Sequence, residues 1–553
     1  MVTSTLWYKD AIIYELHVRA FCDGNGDGIG DFVGATRKLD YLQELGVTCV
    51  WLLPFFLSPL RDDGYDVADY CRVHPDYGTV EDCRTFILAA HERGMRVLID
   101  LVVNHTSDQH PWFRAARSSP VSPKRDYYVW SDTPDTYRQA RVIFKDFETS
   151  NWTWDEVAGA YYWHRFFSHQ PDLNYNNPEV RKEMLEVVRF WLGLGVDGFR
   201  CDAVPHLFER EGTSCEGLPE THAYFQELRR EIAQSYPDCV LIGEANQGPH
   251  ETARYFGAGD EFHMAFHFSL VPHLFVALAR QETTAITEML SLTPPIPPSC
   301  QWATFLRNHD EMTLSRVTGE ERADLYRIYM HDPRARLNSG IRRRLAPLVN
   351  YDQRQLELLY SLIFTLPATP VLYYGDEIGM DDNLTLNDRA GLRTPMQWSD
   401  EQSAGFSTAE VARLYAPISD DPEHGYRRVN VARQLMERNS LLRRVKRLIA
   451  ARKRTAVFAH GSLELLSLEN KHVLAYLRAY QGETILVLHN LSARDQAVEL
   501  SLGQYEGISP VDLLHHSPLP SISALPSALS LTPYEYRWIR LVAVHTEACS
   551  AQS

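Results

Sequence analysis

Apolar residues arrive along this chain in two alternating rhythms. Short continuous runs such as AIIYEL (11–16), VTCVWLL (47–53) and MRVLIDLVV (95–103) read as strands buried on both faces. Between them lie segments with helical spacing. VGATRKLDYLQELG (33–46) sets Leu39, Leu42 and Leu45 on one face and closes with Gly46, suited to a left-handed C-terminal cap. TVEDCRTFILAAHERG (79–94) opens with a T-x-x-D cap and ends in Gly94. This β-α-β-α-β order at short spacing predicts parallel strands with right-handed crossovers. From about 106 to 176 the rhythm breaks into a stretch rich in Trp, Tyr, Pro, Ser and Asp. A segment that long without helical period is usually functional, and it reads as a small domain inserted after the third strand. Alternation resumes at NPEVRKEMLEVVRFWLGLG (177–195), with Asn177 as N-cap and Pro178 at N1. The runs GFRCDAV (198–204), CVLIGEA (239–245), ATFLRNH (303–309) and PVLYYG (370–375), with a helix near 219–235, continue it. A basic helical pattern covers 425–452, and after about 455 the period shifts toward two in LELLSL, HVLAYLRAY, TILVLHNL and LSLTP. The expected architecture is a (β/α)₈ TIM barrel over 1–105 and 177–454, an inserted domain over 106–176, and a C-terminal antiparallel β-sandwich domain over 455–553.

Several strand-like runs end in one carboxylate: Asp202, Glu244 and Asp310, while VLIDLVVNH (97–105) ends in Asn104 and His105. Acidic residues at successive strand ends describe a pocket at the C-terminal rim of a barrel. Paired carboxyls there suit glycosidic bond chemistry, one as acid and one as nucleophile. Arg200 lies two residues before Asp202, so both side chains share a face and the guanidinium favours an ionised Asp202. Glu244 has no cation beside it in sequence, so its carboxyl is expected to stay protonated. In DGNGDGIGD (23–31), Asp23, Asn25, Asp27 and Asp31 alternate with glycines. That spacing suits a hard cation, calcium or alternatively magnesium, with the Ile29 carbonyl completing the set. Residue 34 is Gly where an EF-hand needs its bidentate Glu.

Composition narrows the classes. A formal charge of −17 and no basic run longer than RRR (342–344) argue against nucleic acid. The nine cysteines include Cys549, show no CxxC spacing, and point to a reducing compartment rather than a disulfide framework or zinc site. The N-terminus lacks the pattern of a signal peptide, and no apolar run is long enough for a membrane span. A soluble cytoplasmic protein is expected, with no membrane or nucleic-acid partner. Monomer and homo-oligomer are both left open.

DLVVNH (100–105), GFRCDAVPH (198–206), GEAN (243–246) and RNHDE (307–311) together resemble, in order, the four signatures of the α-amylase superfamily of glycoside hydrolases and transglycosylases. QPDLN (170–174) matches a fifth. Within that superfamily WYKDAIIYELHVRAF (7–21), PLRDDGYDVADY (59–70), YYWHRFFSHQPDLNYNNP (161–178), EREGTSCEGLPETHA (209–223), LYYGDEIGM (372–380) and DRAGLRTPMQW (388–398) resemble the bacterial maltose-to-trehalose isomerases. DDNLTLNDRAG (381–391) departs from that family's Gly-rich loop, and Cys201 sits beside the nucleophile position. The resemblance implies Asp202 as nucleophile, Glu244 as acid/base and Asp310 as transition-state stabiliser. It implies sugar contacts from His105, Gln170, Arg200 and His309, an Asp66–Arg393 pair gripping the terminal glucose, and Tyr65 as a stacking floor. It implies a second structural calcium held by Asn104, Asp172 and Glu209 with the carbonyls of His206 and Leu207, and no organic cofactor. Ala203 resembles the relatives that act on α-1,4 bonds. The expected reaction is intramolecular glucosyl transfer from maltose to trehalose with minor hydrolysis. The rival is an α-glucosidase using the same acids, in which water attacks instead. A non-catalytic amylase-fold transport subunit would need an anchor and could shed its acids; this chain keeps them.

Overall fold

A computed structural model describes residues 6–522 and 527–541; Cys549 lies outside the described residues. Eight strands close into a barrel: β1 (Ile13–Leu16), β2 (Cys49–Leu52), β3 (Arg96–Val102), β4 (Gly198–Asp202), β5 (Val240–Gly243), β6 (Met264–Phe266), β7 (Gln301–Phe305) and β8 (Thr369–Tyr373). Every neighbouring pair is parallel, and β1 closes against β8. All residues of β4, β5, β7 and β8 are buried, which is why their sequences run apolar without alternation. The sixth strand went unseen in the sequence because MAF is only three residues long and has no β-branched residue.

The crossover helices follow their local signals. Thr79 and Asp82 form both halves of a capping box for Val80–Glu92, and Asn177 caps Pro178–Gly193 through the Glu179 amide. The expected helix over 33–46 is split at Lys38 into Phe32–Arg37 and Leu39–Leu45, with Gly46 left-handed at φ 102°. The basic stretch likewise divides into Val431–Met436 and Leu441–Lys453.

Between β3 and β4 the chain forms a helix the sequence did not suggest, Pro111–Ser118, started by a His110 cap and Pro111. A three-stranded antiparallel sheet of Trp130–Ser131, Ala160–Trp163 and Trp152–Asp155 follows. The C-terminal region is a five-stranded antiparallel sheet facing a two-stranded ribbon of Gln496–Leu500 and Ser527–Leu531, with Leu486, Leu488, Val498 and Leu531 in the core between them.

The barrel helix Gln353–Thr365 is seated on that sheet. Ser361 Oγ takes the Trp538 indole N–H (2.8 Å) and meets His489 Nε2 (2.8 Å). Arg478, fully buried on the sheet, donates to the carbonyls of Thr365, Phe458 and Gly461, and Arg452 donates to those of Phe364 and Ala368. Among the described residues every cysteine is free, and no helix is long and apolar enough to cross a membrane.

Candidate active site

The C-terminal rim of the barrel converges on Arg200. Parallel register sets Asp100 of β3 opposite Arg200 of β4. Arg200 Nη1 lies 2.8 Å from Asp100 and 2.5 Å from Asp202, while Nη2 lies 3.0 Å from Glu244. One guanidinium therefore serves three acids, Asp100 and Asp202 buried and Glu244 part-buried. Glu244 has no cation beside it in sequence, yet β5 follows β4 around the barrel and brings it onto Arg200. Burial still wins. It pushes Glu244 up to about 8, with Arg200 opposing and the Asp202 charge adding. Burial also raises Asp202, to about 6, with Arg200 holding it back. At neutral pH this order leaves Asp202 ionised and Glu244 protonated. The two carboxyls share Arg200 and influence each other's protonation.

Just after Asp202 the chain turns sharply. Ala203 is left-handed at φ 53°, a strained state for a non-glycine residue. The turn aims the Ala203 N–H at Glu244 Oε2 (3.0 Å), so the backbone just after Asp202 also orients the Glu244 carboxyl.

The inner end of the site is closed by charge. Arg393 bridges Asp63 (2.7 Å) and Asp310 (2.9 Å), and Arg389 adds a contact to Asp310 (3.0 Å). Burial would raise Asp310, but His309, Arg389 and Arg393 overcome it and hold the carboxyl well below its usual range. Asp66 does not join this group. Its carboxylate is turned inward to accept from Ser58 Oγ and the Arg61 and Asp62 amides, as a buried turn cap does. The aspartate of this loop that lines the cavity is Asp62. Gln170 lies behind it, donating to Asp62 Oδ2 (2.8 Å). Tyr65 lines the cavity and stacks on His309, centroids 5.5 Å apart. His105 also lines it and keeps a buried Nε2 with no protein partner, free for a sugar hydroxyl. Burial lowers its pKa to about 3, so the ring is neutral.

The cavity holds about 390 Å³, within the range of small-ligand sites, about 300–1,000 Å³. Its mouth is roofed from the inserted domain. The Arg389 guanidinium sits over the Phe144 ring at 4.8 Å, and Asp146 accepts the Asn338 amide at 2.7 Å. Asp62, Asp63, Asp100, Phe144 and Arg389 were all missed by sequence reasoning, although Asp100 lies inside DLVVNH, Asp62 and Asp63 inside PLRDDGYDVADY and Arg389 inside DRAGLRTPMQW; only Phe144 lies in no such motif.

The expected cation positions differ in character. In 23–31, Asp23, Asn25 and Asp27 each accept the amide two residues on, and Asp31 caps the next helix through Gly34 while also accepting from Gly24. Ile29 donates its own amide to Asp27. That winding leaves side-chain lone pairs compatible with a hard cation. At the second position Asn104 Nδ2 donates to Asp172 Oδ1 (2.9 Å). Asn104 Oδ1, Asp172 Oδ2 and Glu209 Oε1 are buried without any partner. Burial raises both Asp172 and Glu209 well above normal, and Asp172 raises Glu209 further. Unsatisfied buried oxygens at adjacent acids are what a divalent cation resolves. His206 and Leu207 are buried directly after β4, with the His206 ring lining the cavity. Among the described residues no three His, Cys, Asp or Glu side chains gather as a metal cluster, at this position or in 23–31.

Residues 15–461 match the family described as "Alpha amylase, catalytic domain", and 463–538 match "Maltogenic Amylase, C-terminal domain". The trehalose synthase/amylase of Mycolicibacterium smegmatis is 52% identical over 98% of this chain and 93% of its own length. The trehalose synthase of Thermus thermophilus is 54% identical over 94% of this chain and 54% of its own length. A crystal structure of trehalulose synthase from Pseudomonas mesoacidophila superposes with a TM-score of 0.77 at 29% identity, covering 97% of this chain and 99% of that one. With a rim of barrel carboxylates around one guanidinium and these likenesses along its length, the chain belongs to the α-amylase family.

Proposed function

We propose that this protein isomerises maltose to trehalose by glucosyl transfer inside one closed pocket. The observation that carries the reading is the pocket itself: its inner end is sealed by Asp63, Arg393 and Asp310, and its mouth is covered by Phe144 under Arg389. Likeness to relatives named trehalose synthase supports the same substrate.

Asp202 attacks C1 of the terminal glucose as Glu244 gives its proton to the departing O4. This breaks the α-1,4 bond and leaves a glucosyl ester on Asp202. The freed glucose stays in place and presents its own anomeric hydroxyl. Glu244 takes that proton back, the O1–C1 bond forms, and the ester breaks to release Asp202 and α-1,1-linked product. Two inversions give net retention. A trapped acceptor has a high effective molarity, so it outcompetes water while the roof stays down.

The test is maltose with isotope-labelled external glucose. Trehalose should be the main product, free glucose minor, and label should enter trehalose poorly. Glucose dominating from the start would make the protein an α-glucosidase, and free entry of label would make the transfer intermolecular.

The carboxyl order adds a pH prediction. kcat/KM should rise as pH passes about 6, where Asp202 ionises, and fall beyond about 8, where Glu244 loses its proton. The limbs belong to the coupled pair. A flat profile from pH 5 to 9 would remove these roles.

Asn104, Asp172 and Glu209 would hold a calcium ion beside the inserted domain, with the 23–31 loop as the second position. Neither touches the reacting atoms; bound there, the ion would neutralise buried acids and stabilise the fold by mass action. Complete chelation should lower the melting temperature by several degrees, and re-addition of calcium should restore it. An unchanged melting curve would count against both. The free cysteines suit a reducing, cytoplasmic setting.

A further inference from the structure

Below the cavity floor one acid has no place in the mechanism above. Glu15 lies on β1, is fully buried, and does not line the cavity. Its Oε1 meets His309 Nδ1 and accepts the His309 backbone N–H (3.3 Å). The other ring nitrogen, His309 Nε2, faces Asp310 Oδ2 at 3.2 Å and the Tyr65 hydroxyl at 2.8 Å. Tyr65 in turn meets Asp100 Oδ2 at 3.1 Å. A chain of contacts therefore runs from β1 through His309 to the stabiliser Asp310, and through Tyr65 to the acid that anchors Arg200.

Proton counting shows what Glu15 does. Asp310 is held ionised, so Nε2 must carry a proton; a bare lone pair facing that carboxylate would be repelled. The Tyr65 hydroxyl has one proton, and the Asp100 carboxylate is its stronger acceptor. Tyr65 therefore also accepts from Nε2. With Nε2 protonated, Nδ1 has two choices: accept a proton shared from a neutral Glu15, or donate to an ionised one. Either way, among the described residues, Glu15 is the hydrogen-bond partner of Nδ1, and with Tyr65 stacked on the ring it sets the state of the imidazole.

We propose that Glu15 is a positioning residue for glucosyl transfer: by holding His309 Nδ1 it fixes the imidazole with Nε2 against the Tyr65 hydroxyl and the Asp310 carboxylate, which keeps Asp310 turned to the sugar. The proposal rests on the reading of this pocket as a retaining glucosyl-transfer site. Glu15 touches no substrate atom and acts through His309 alone.

The test compares Glu15→Gln, Glu15→Asp and each combined with His309→Asn, reading kcat, KM and melting temperature on maltose and on α-glucosyl fluoride. Gln keeps the reach and can donate to or accept from Nδ1, so kcat should stay within about threefold. Asp withdraws the carboxyl by one methylene; a displacement of about 1 Å in a positioned group can cost on the order of 10²-fold. That loss should fall on kcat with KM nearly unchanged and the melting temperature within a few degrees. In the His309→Asn background, Glu15→Asp should cost almost nothing further.

Equal losses for Gln and Asp, or losses that multiply in the double variant, would overturn the proposal. If the Asp variant does not fold, the Gln variant decides: a stable protein that has lost kcat refutes it. Wild-type protein inactive on both substrates would refute the transfer reading instead, so the two failures are distinguishable.

Discussion

Asp202→Asn should leave a folded protein that binds maltose and turns it over at least about 10⁴-fold more slowly, as expected when a covalent route is lost. The amide can still accept from Arg200, so the buried cation keeps a partner and the melting temperature should barely change. Asp202 is 8% exposed, next to a left-handed Ala203, so its carboxyl is presented at the end of β4 without freedom to be replaced by a neighbour. Turnover within tenfold of wild type would remove it as nucleophile. Binding of maltose by calorimetry separates lost chemistry from a lost site.

Arg200→Met should do the opposite: it damages stability as well as rate. Three acids, Asp100, Asp202 and Glu244, share this guanidinium. Breaking a buried ion cluster by removing one partner costs about 3–5 kcal/mol. The pH dependence has a definite sign. Burial already raises Asp100 and Asp202 to about 6, and losing the cation raises them further. Between about pH 4, where the unfolded carboxyls titrate, and those raised values the folded state binds more protons. The variant's stability should thus survive in acid and fall as pH rises toward neutrality, more steeply than in wild type. A melting curve equal to wild type at pH 7.5 would mean the acids are not charged together, and the picture of one cation serving three would fail.

The rim acids were legible because a buried parallel strand writes itself as an unbroken apolar run, and a carboxylate that ends such a run has nowhere to be but the rim. The loop at 62–66 was not legible in the same way. DDGYD offers three aspartates within five residues. Asp63 at φ 56° and Gly64 at φ 105° make a left-handed turn that sends Asp62 to the cavity, Asp63 to Arg393 and Asp66 back into its own loop. No two-fold or helical period describes such a turn, so Asp66 was the wrong member of the set. Arg389 and Phe144 meet across more than two hundred residues of chain, and Glu15 reaches His309 only because β1 closes against β8 beside β7. Contacts made by barrel closure leave no local trace. The short β6 and the Lys38 break show the same limit at the level of elements, where tertiary packing overrides weak propensity.

The seat of the helix Gln353–Thr365 on the β domain bears on how the chain comes apart. Among the described residues Arg478 makes no ion pair with a carboxylate; its hydrogen bonds run to the carbonyl of Thr365 at the helix end and to those of Phe458 and Gly461 beside the sheet. Neither side can be taken away without leaving a buried cation or bare carbonyls unsatisfied. The two regions share this buried contact: a shortened chain ending near 461 should leave the Thr365 end of the helix before β8 without its partner, and melting of the β domain is expected to be coupled to that of the barrel.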